Sequence, residues 1–270
     1  MNSVILITGA SSGIGKTIAQ FLIEKGYIVY GAARSTDKMK DLVSLGGRSL
    51  FMDVTDEKTI EKGIQQIITE QGRIDILINN AGYGLYGAFE NTTIEQAKAE
   101  MEVNLFGLAR LTQLVLPIMR KQKKGKIINI SSIAGKLTSP LGSWYFASKH
   151  AVEGLSDSLR QEVKPFGIDV ILIEPGGVKS NWAATAGKHL IDSSKGTPYE
   201  EMAEKVVRYF PFIEKENAEP IVIAKLILKA IQAKKAKIRY VGGTYAKPLL
   251  FAKKILPDKW FDTAVLSQLK

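Results

Sequence analysis

The sequence predicts a doubly wound α/β domain on a mostly parallel, seven-stranded sheet, and three observations carry that reading. Short β-branched apolar runs alternate with segments of helical period along most of the 270 residues. A glycine-rich turn stands directly between the first run and the first helix. No Ser/Pro-rich linker or break in composition divides the chain, so one domain spanning 1–270 is the better count despite the length.

In chain order, the strand Val4–Thr8 leads through the turn 8–15 into a helix over 14–25, and Ile28–Ala33 is the second strand. A third strand at 49–53 precedes a helix at 56–70, and a fourth at 74–79 precedes a long helix at 93–121. Thr92 followed by Glu95 reads as the capping box that opens this helix, and Pro117 inside it predicts a kink. Strands at 126–131, 169–173 and 237–241 alternate with helices at 144–164 and 219–233. Two regions break the rhythm: 176–217, long and aromatic without a clear period, is read as a substrate lid, and 242–270 as a C-terminal extension.

Composition removes several function classes. With 45% hydrophobic and 24% charged residues the chain is neither disordered nor fibrous. Apolar stretches such as 4–7 and 221–224 fall far short of the roughly 20 residues that cross a bilayer. The N-terminus runs straight into a strand without an export signal, so the expected location is the cytoplasm. The absence of cysteine excludes disulfides, thiolate metal sites and Cys nucleophiles, and two separated histidines, His150 and His189, make a zinc site improbable. A net charge of +10 favours anionic partners without choosing among them.

The turn Thr8-Gly9-Ala10-Ser11-Ser12-Gly13-Ile14-Gly15 carries the first functional argument. Glycines there let backbone N–H groups approach a pyrophosphate, and the following helix adds the positive end of its dipole. Gly9, Ser11, Ser12, Gly13, Ile14 and Gly15 are therefore the expected cradle of a dinucleotide. The second strand ends in Ala33-Arg34, where a dinucleotide site selective for NAD would carry a carboxylate. An arginine fork pairs instead with a 2′-phosphate, so the expected cofactor is NADP(H) in preference to NAD(H), read by Arg34 with help from Ser35 or Lys38.

Tyr145 and Lys149, four apart on one helix face, carry the second argument together with Ser131-Ser132 at a strand end upstream and Asn104 in the long helix. Spacing alone is weak, since Tyr30 and Arg34 also stand four apart. Reduction of a carbonyl by hydride builds an alkoxide that needs a proton from an acid within hydrogen-bond reach. A phenol near pKa 10 is a poor shuttle until a neighbouring ammonium lowers it, which Lys149 is placed to do. Ser132 can polarise the carbonyl oxygen.

These residues resemble the short-chain dehydrogenase/reductase superfamily over residues 3 to about 241. Five elements in order carry the likeness: the 8–15 turn, Asp53, Asn79-Asn80-Ala81-Gly82, Ser132 with Tyr145 and Lys149, and Pro175-Gly176. The resemblance implies a Rossmann-type fold in which Asp53, with Val54 beside it, meets the adenine, and Asn80, Ala81 and Gly82 line its ribose. It implies that Lys149 and Tyr145 also touch the nicotinamide ribose and that Asn104 holds a water linking the lysine to solvent. Pro175, Gly176 and Val178 would flank the nicotinamide, with Ser180 where the family usually has threonine. Through Gly82-Tyr83-Gly84 and Trp144-Tyr145 the chain is similar to the 17β-hydroxysteroid-dehydrogenase-like subgroup, a sequence label from which no steroid substrate follows. The family also implies a homodimer or homotetramer through the helices near 105–119 and 151–163.

Plainer readings cover the rest. His150 points away from its neighbour Lys149 and is read as packing or surface, and His189 as either a substrate contact or a solvated side chain. The basic run from Arg120 to Lys126 reads as cations at a helix end, with no nucleic-acid recognition fold beside it. For the apolar and basic tail around 248–256, packing or a subunit contact is the default and peripheral membrane attachment the sharper idea. Tyr83, Leu85, Leu141, Trp144 and Trp182, with Tyr86, Tyr209, Phe210 and Phe212 nearby, outline an apolar substrate pocket. The expected activity is NADP(H)-dependent interconversion of a carbonyl and a primary or secondary alcohol on a small hydrophobic substrate, with Tyr145 as acid/base. The competing class is a cofactor-binding sensor or scaffold on the same fold, against which the intact Asn104, Ser132, Tyr145 and Lys149 argue.

Overall fold

The computed structural model describes residues 2–180 and 182–267. Seven strands form one sheet: β1 (Val4–Thr8), β2 (Ile28–Ala33), β3 (Arg48–Phe51), β4 (Ile76–Asn79), β5 (Gly125–Ile130), β6 (Ile168–Pro175) and β7 (Arg239–Gly242). Their order is β3-β2-β1-β4-β5-β6-β7, and every adjacent pair is parallel. The order reverses between β1 and β4, which opens a crevice at the C-terminal ends of those strands.

Strand period builds both faces. Ile5 and Ile7 point to one side, into a layer completed by Ile18 and Leu22 of α1 (Gly13–Glu24). Val4 and Leu6 point to the other, against Ile60, Ile64 and Ile67 of α3 (Glu57–Gln71); a short α2 (Lys40–Ser44) lies between α1 and α3 in the chain. Each such buried aliphatic side chain contributes about 1.5–3 kcal/mol of transfer free energy, so a slip of one residue in either strand would be ruinous.

The expected helix over 93–121 is interrupted. It consists of α4 (Ile94–Met101), a π-helical turn at Glu102–Gly107 and α5 (Leu108–Gln122). The capping box is real but sits one residue later than Thr92/Glu95: Thr93 Oγ1 accepts from the Gln96 N–H at 3.2 Å, and Gln96 Oε1 accepts from the Thr93 N–H at 2.9 Å. Thr92 is spent on the preceding turn, its hydroxyl donating to the Ala88 carbonyl at 3.0 Å. Pro117 lies within the continuous α5, so the departure from α geometry falls upstream of it, at the turn that carries Asn104.

Beyond α6 (Ser143–Val163), the region 176–217 is more regular than its sequence pattern, forming α7 (Trp182–Ser194) and α8 (Glu200–Glu216). Next come α9 (Ile221–Gln232), which joins the α1 face, and, past β7, α10 (Ala246–Ile255) and α11 (Asp258–Ser267) in the C-terminal extension. The basic run divides its work. Arg120 and Lys121 occupy the last turn of α5, whereas the Lys126 ammonium donates to the carbonyls of Ala230, Ile231 and Ala233 at 2.8–2.9 Å and so closes the C-terminus of α9. No described helix is long and apolar enough to cross a membrane.

Candidate active site

The glycine-rich turn is shaped by close approach. Gly9 and Gly13 adopt φ of 67° and 53°, in the left-handed region. A Cβ on Gly15 would lie 2.3 Å from the Gly9 carbonyl oxygen and 2.3 Å from Asn80 Nδ2, so the first turn of α1 meets the loop before it only without a side chain. Thr8, which the sequence reading passed over, ties this turn to β4: its hydroxyl accepts from the N–H groups of Asn80 and Ala81, both at 3.0 Å. Asn80 Nδ2 donates back to the Thr8 carbonyl at 2.9 Å. The N-cap residue of α1, Ser12, makes no side-chain cap, which leaves the first N–H groups of that helix facing the crevice without an intrahelical acceptor. Ser180 reaches the same turn, with its Cβ 3.7 Å from where a Gly13 side chain would begin.

The other expected nucleotide residues surround this turn. Arg34 stands exposed just past the end of β2, with no ion pair among the described residues, and Ser35 follows it half-buried. Asp53 Oδ1 accepts from the N–H and hydroxyl of Thr55 at 3.0 and 2.8 Å, which fixes the carboxylate at the end of β3. Val54 packs instead against the helix pair, its carbonyl 2.6 Å from where a Cβ of Gly107 would stand.

Ser132, Tyr145 and Lys149 converge. Ser132 ends the segment after β5; its hydroxyl accepts from the Ala134 N–H at 3.1 Å, donates toward the Pro175 carbonyl at 3.4 Å and is hydrogen-bonded with the Tyr145 phenol. One helical turn along α6, the Lys149 ammonium donates to the Ile130 carbonyl at 3.0 Å and lies 5.9 Å from the Tyr145 ring centre. Asn104 is buried behind them. Its Oδ1 accepts from the Tyr83 N–H at 3.0 Å, while Nδ2 donates to the Tyr83 carbonyl at 2.9 Å and to Ser148 Oγ at 3.1 Å.

The electrostatics correct one expectation. The phenol is raised, not depressed: burial pushes Tyr145 up to about 12, with the Ser132 hydroxyl pulling down and the Glu100 carboxylate adding to the rise. Lys149 itself is lowered to about 8 by burial, against the pull of Glu100 and Glu153. With its head turned to the Ile130 carbonyl, its influence on the ring is outweighed by desolvation.

Glu100 is the residue that sequence reasoning missed. It is fully buried, and its Oε1 accepts from the Leu85 N–H at 2.8 Å and from Asn104 Nδ2 at 3.5 Å. A signal existed: Ala97, Glu100, Asn104 and Leu108 share the buried stripe of the helix, where a carboxylate is out of place. A second buried cluster lies beyond Lys149. Arg239 of β7 pairs with Glu153 at 2.9 Å, Asp157 at 2.6 Å and Glu174 at 3.0 Å, and Lys136 joins Glu153 at 2.9 Å.

The expected pocket is partly assembled. Leu141, Tyr86, Ala186, Leu190, Ala203 and Val206 form one apolar cluster with Tyr145 packed against it, so α7 and α8 cover the Tyr145 side of the crevice. The Tyr86 and Tyr145 ring centres are 6.0 Å apart. Leu85 is buried and Tyr83 half-exposed beside Asn104, whereas Trp144 stacks on Phe89 at 5.9 Å. The side chains of Trp182, Tyr209, Phe210 and Phe212 lie outside the described residues. His189 is half-buried and held by the fold: Nδ1 donates to the Tyr86 carbonyl at 2.7 Å and Nε2 faces Gln96 at 3.4 Å, tying α7 to the loop after β4. His150 is exposed, its Nδ1 bonded to the Phe146 carbonyl at 2.9 Å.

Comparison with known proteins supplies a context for this arrangement. The short chain dehydrogenase family model matches residues 3–190. A 3-ketodihydrosphingosine reductase of Bacteroides thetaiotaomicron is 41% identical over 267 residues, covering 97% of this chain and 96% of its own. An NADPH-dependent 3-dehydrocapnine reductase of Ornithobacterium rhinotracheale is 35% identical over 278 residues, covering 98% and 96%. The crystal structure of a short-chain dehydrogenase from Streptomyces avermitilis superposes with a TM-score of 0.82 at 34% identity, covering 100% of this chain and 95% of that one.

Proposed function

The chain belongs to the short-chain dehydrogenase family, and from that premise we propose that it is an NADP(H)-dependent oxidoreductase that interconverts a ketone and a secondary alcohol on a long, hydrophobic substrate. The observation that carries this reading is the Ser132–Tyr145 hydrogen bond with Lys149 one turn away, at the crevice where the strand order reverses.

The residues present fit a dinucleotide. The uncapped start of α1 and the side-chain-free cradle of Gly9, Gly13 and Gly15 suit a pyrophosphate, and exposed Arg34, without an ion pair among the described residues, suits a 2′-phosphate. Asp53 and the segment Asn80-Ala81-Gly82 would hold the adenosine half, and Pro175, Gly176, Val178 and Ser180 the nicotinamide half. When bound, the cofactor supplies or accepts the hydride.

This chain's own groups handle the oxygen. Ser132 donates to the substrate oxygen and fixes its direction. Tyr145 gives that oxygen a proton in reduction and takes it back in oxidation. Lys149, one helical turn from Tyr145, would hold the nicotinamide ribose and hand a proton back to the phenol after reduction, or take one from it after oxidation. The apolar wall of Leu85, Tyr86 and Leu141 under the two covering helices excludes water and favours an aliphatic chain over a sugar. The two relatives named for keto and dehydro substrates point the same way.

The test is NADPH consumption by the purified protein on 3-ketodihydrosphingosine, medium-chain ketones, steroid ketones and sugars, with NADH in parallel. Turnover on long-chain ketones that requires NADPH is expected. Turnover confined to sugars, or equal use of NADH, sinks the substrate or the cofactor part of the reading respectively.

A further inference from the structure

Glu100 has no place in the chemistry just described, yet its position is costly. A fully buried carboxylate without a counter-ion is among the least stable arrangements a core can hold. One oxygen is engaged by the Leu85 N–H and by Asn104, and the other, Oε2, has no hydrogen-bond partner among the described residues. Among the described residues Glu100 makes no ion pair within 4.0 Å. A glutamine would make the same bond to Leu85 without the charge, so the charge itself needs an explanation.

The groups facing it supply one. From the loop after β4 come Tyr83 and Tyr86, and from α6 come Tyr145 and Lys149; the ionised Glu100 disfavours all three phenolates. Lys149 is the cation on which it acts among the described residues. Asn104 lies between them: a Cβ on Gly82 would sit 2.9 Å from Asn104 Oδ1 and 3.8 Å from Lys149 Nζ, so both border the same small space, and on its other side Asn104 Nδ2 lies 3.5 Å from Glu100 Oε1. The other acid near the lysine, Glu153, is already paired with Lys136 and Arg239, both at 2.9 Å. Glu153 pulls Lys149 up as well, but its charge is shared with those closer partners, whereas Glu100 makes no ion pair among the described residues.

We infer that Glu100 is a positioning residue of the site: its buried carboxylate keeps Lys149 in the ammonium form and binds Asn104 and the segment 83–85 into one frame around it. The inference deepens the oxidoreductase reading and rests on it for its catalytic meaning. The titration behaviour agrees. Burial raises Glu100 to about 7 while Lys149 acts to lower it, and burial lowers Lys149 to about 8 while Glu100 acts to raise it, so each favours the charged form of the other. Take away the carboxylate and desolvation acts on Lys149 with less opposition. The ammonium is then lost at a lower pH.

The experiment uses the full chain labelled with ¹³Cε-lysine, the Lys149 signal being identified by its loss in Lys149→Arg. In Glu100→Gln the Lys149 titration midpoint is expected to fall by about one pH unit, and in Glu100→Asp, which keeps the charge, to stay near that of the unmodified chain. An unmoved midpoint in Glu100→Gln overturns the inference. Should Glu100→Gln fail to fold, the reciprocal measurement decides. With ¹³Cδ-glutamate, whose Glu100 signal is identified by its loss in Glu100→Asp, Lys149→Met should raise the carboxyl midpoint, and no change overturns the inference equally. Neither arm needs substrate or cofactor, so failure of the oxidoreductase reading is seen separately as absence of turnover. Where turnover exists, the alkaline fall of kcat/KM should move to lower pH in Glu100→Gln. A uniform loss at every pH with the fall unmoved is the signature of a merely structural carboxyl and counts against the proposal.

Discussion

The two ends of the crevice are built from different materials. On the β1–β2–β4 side the frame consists of glycines, backbone groups and neutral side chains: Thr8 and Asn80 exchange hydrogen bonds at 2.9–3.0 Å, and the full charge of Arg34 stays at the exposed rim. Around Lys149, on α4, α6 and β6, Glu100, Lys149, Glu153 and Glu174 are all buried. Oriented dipoles hold a polyanion without changing their own state. Proton handling needs ionisable groups whose affinities are displaced by a low dielectric, and burial does displace them: Glu100 and Glu174 up to about 7, Lys149 down to about 8. Such displacement is obtained at the expense of stability.

The sharpest way to break this contrast is Tyr145→Phe. If the chemistry resides on the charged side alone, turnover should fall by about 10²- to 10⁴-fold while NADPH affinity, measured by fluorescence titration, stays as it was. A comparable loss of nucleotide binding would mean the two ends are not separable.

Next in size is Arg239→Met, which leaves Glu153 and Glu174 buried without their shared cation and is expected to cost about 3 kcal/mol in urea unfolding at neutral pH. The sign of its pH dependence follows from Glu174. Its folded value lies above the ordinary carboxylate value, with burial the larger cause and Glu153 the next, so the folded protein holds a proton that the unfolded chain has released. The associated stability is complete below about pH 4.5 and is lost as pH rises through about 7. The penalty of Arg239→Met should therefore shrink at acid pH, where Glu174 is neutral. A penalty that held constant through neutral and mildly acid pH and shrank only below the ordinary carboxylate range would show that Arg239 acts through Asp157, whose carboxyl it helps to hold low.

The same contrast explains what could be read from the sequence. The βα rhythm, the strands Val4–Thr8 and Ile28–Ala33 to the residue, and the glycine cradle are set by neighbours in the chain, since period 2, period 3.6 and a tight turn are local properties. Ser132, Tyr145, Lys149 and Asn104 were legible because their types and order match a chemistry. Glu100, Thr8 and the Arg239 cluster were not: Arg239 meets Glu153 across 86 positions, and nothing local marks a charge as buried. The covering helices were hidden for a related reason, because α7 and α8 share their apolar faces with Tyr86 and Leu141 instead of with the sheet. The π-helical turn moved the helix break away from Pro117 for want of any residue type that signals it.

A smaller effect probes the neutral side. Gly15→Ala must displace both the Gly9 carbonyl and the Asn80 side chain, at a cost of about 1–3 kcal/mol, with NADPH affinity falling in step. Gly154→Ala on α6 is its control: a Cβ there meets nothing within 4 Å, so a gain of up to about 1 kcal/mol is expected in the same unfolding assay. Equal responses at the two glycines would show that the turn tolerates a side chain and that its geometry is not what the nucleotide needs.

The smallest effect decides how far the neutral side relies on charge at all. Arg34 is exposed and makes no ion pair among the described residues, so Arg34→Ala should change stability by less than about 0.5 kcal/mol. Its guanidinium fork would be worth about 1.5 kcal/mol or more on a 2′-phosphate, so NADPH affinity should drop about tenfold while NADH affinity stays constant. Lys38, also exposed on the turn that follows β2, is the fallback partner. Should Arg34→Ala leave the NADPH/NADH ratio unchanged and Lys38→Ala lower it, charge still selects the cofactor, from a different residue. Should neither substitution move the ratio, the rim charges select nothing, and the dipoles of the turn alone hold the nucleotide whichever phosphate it carries.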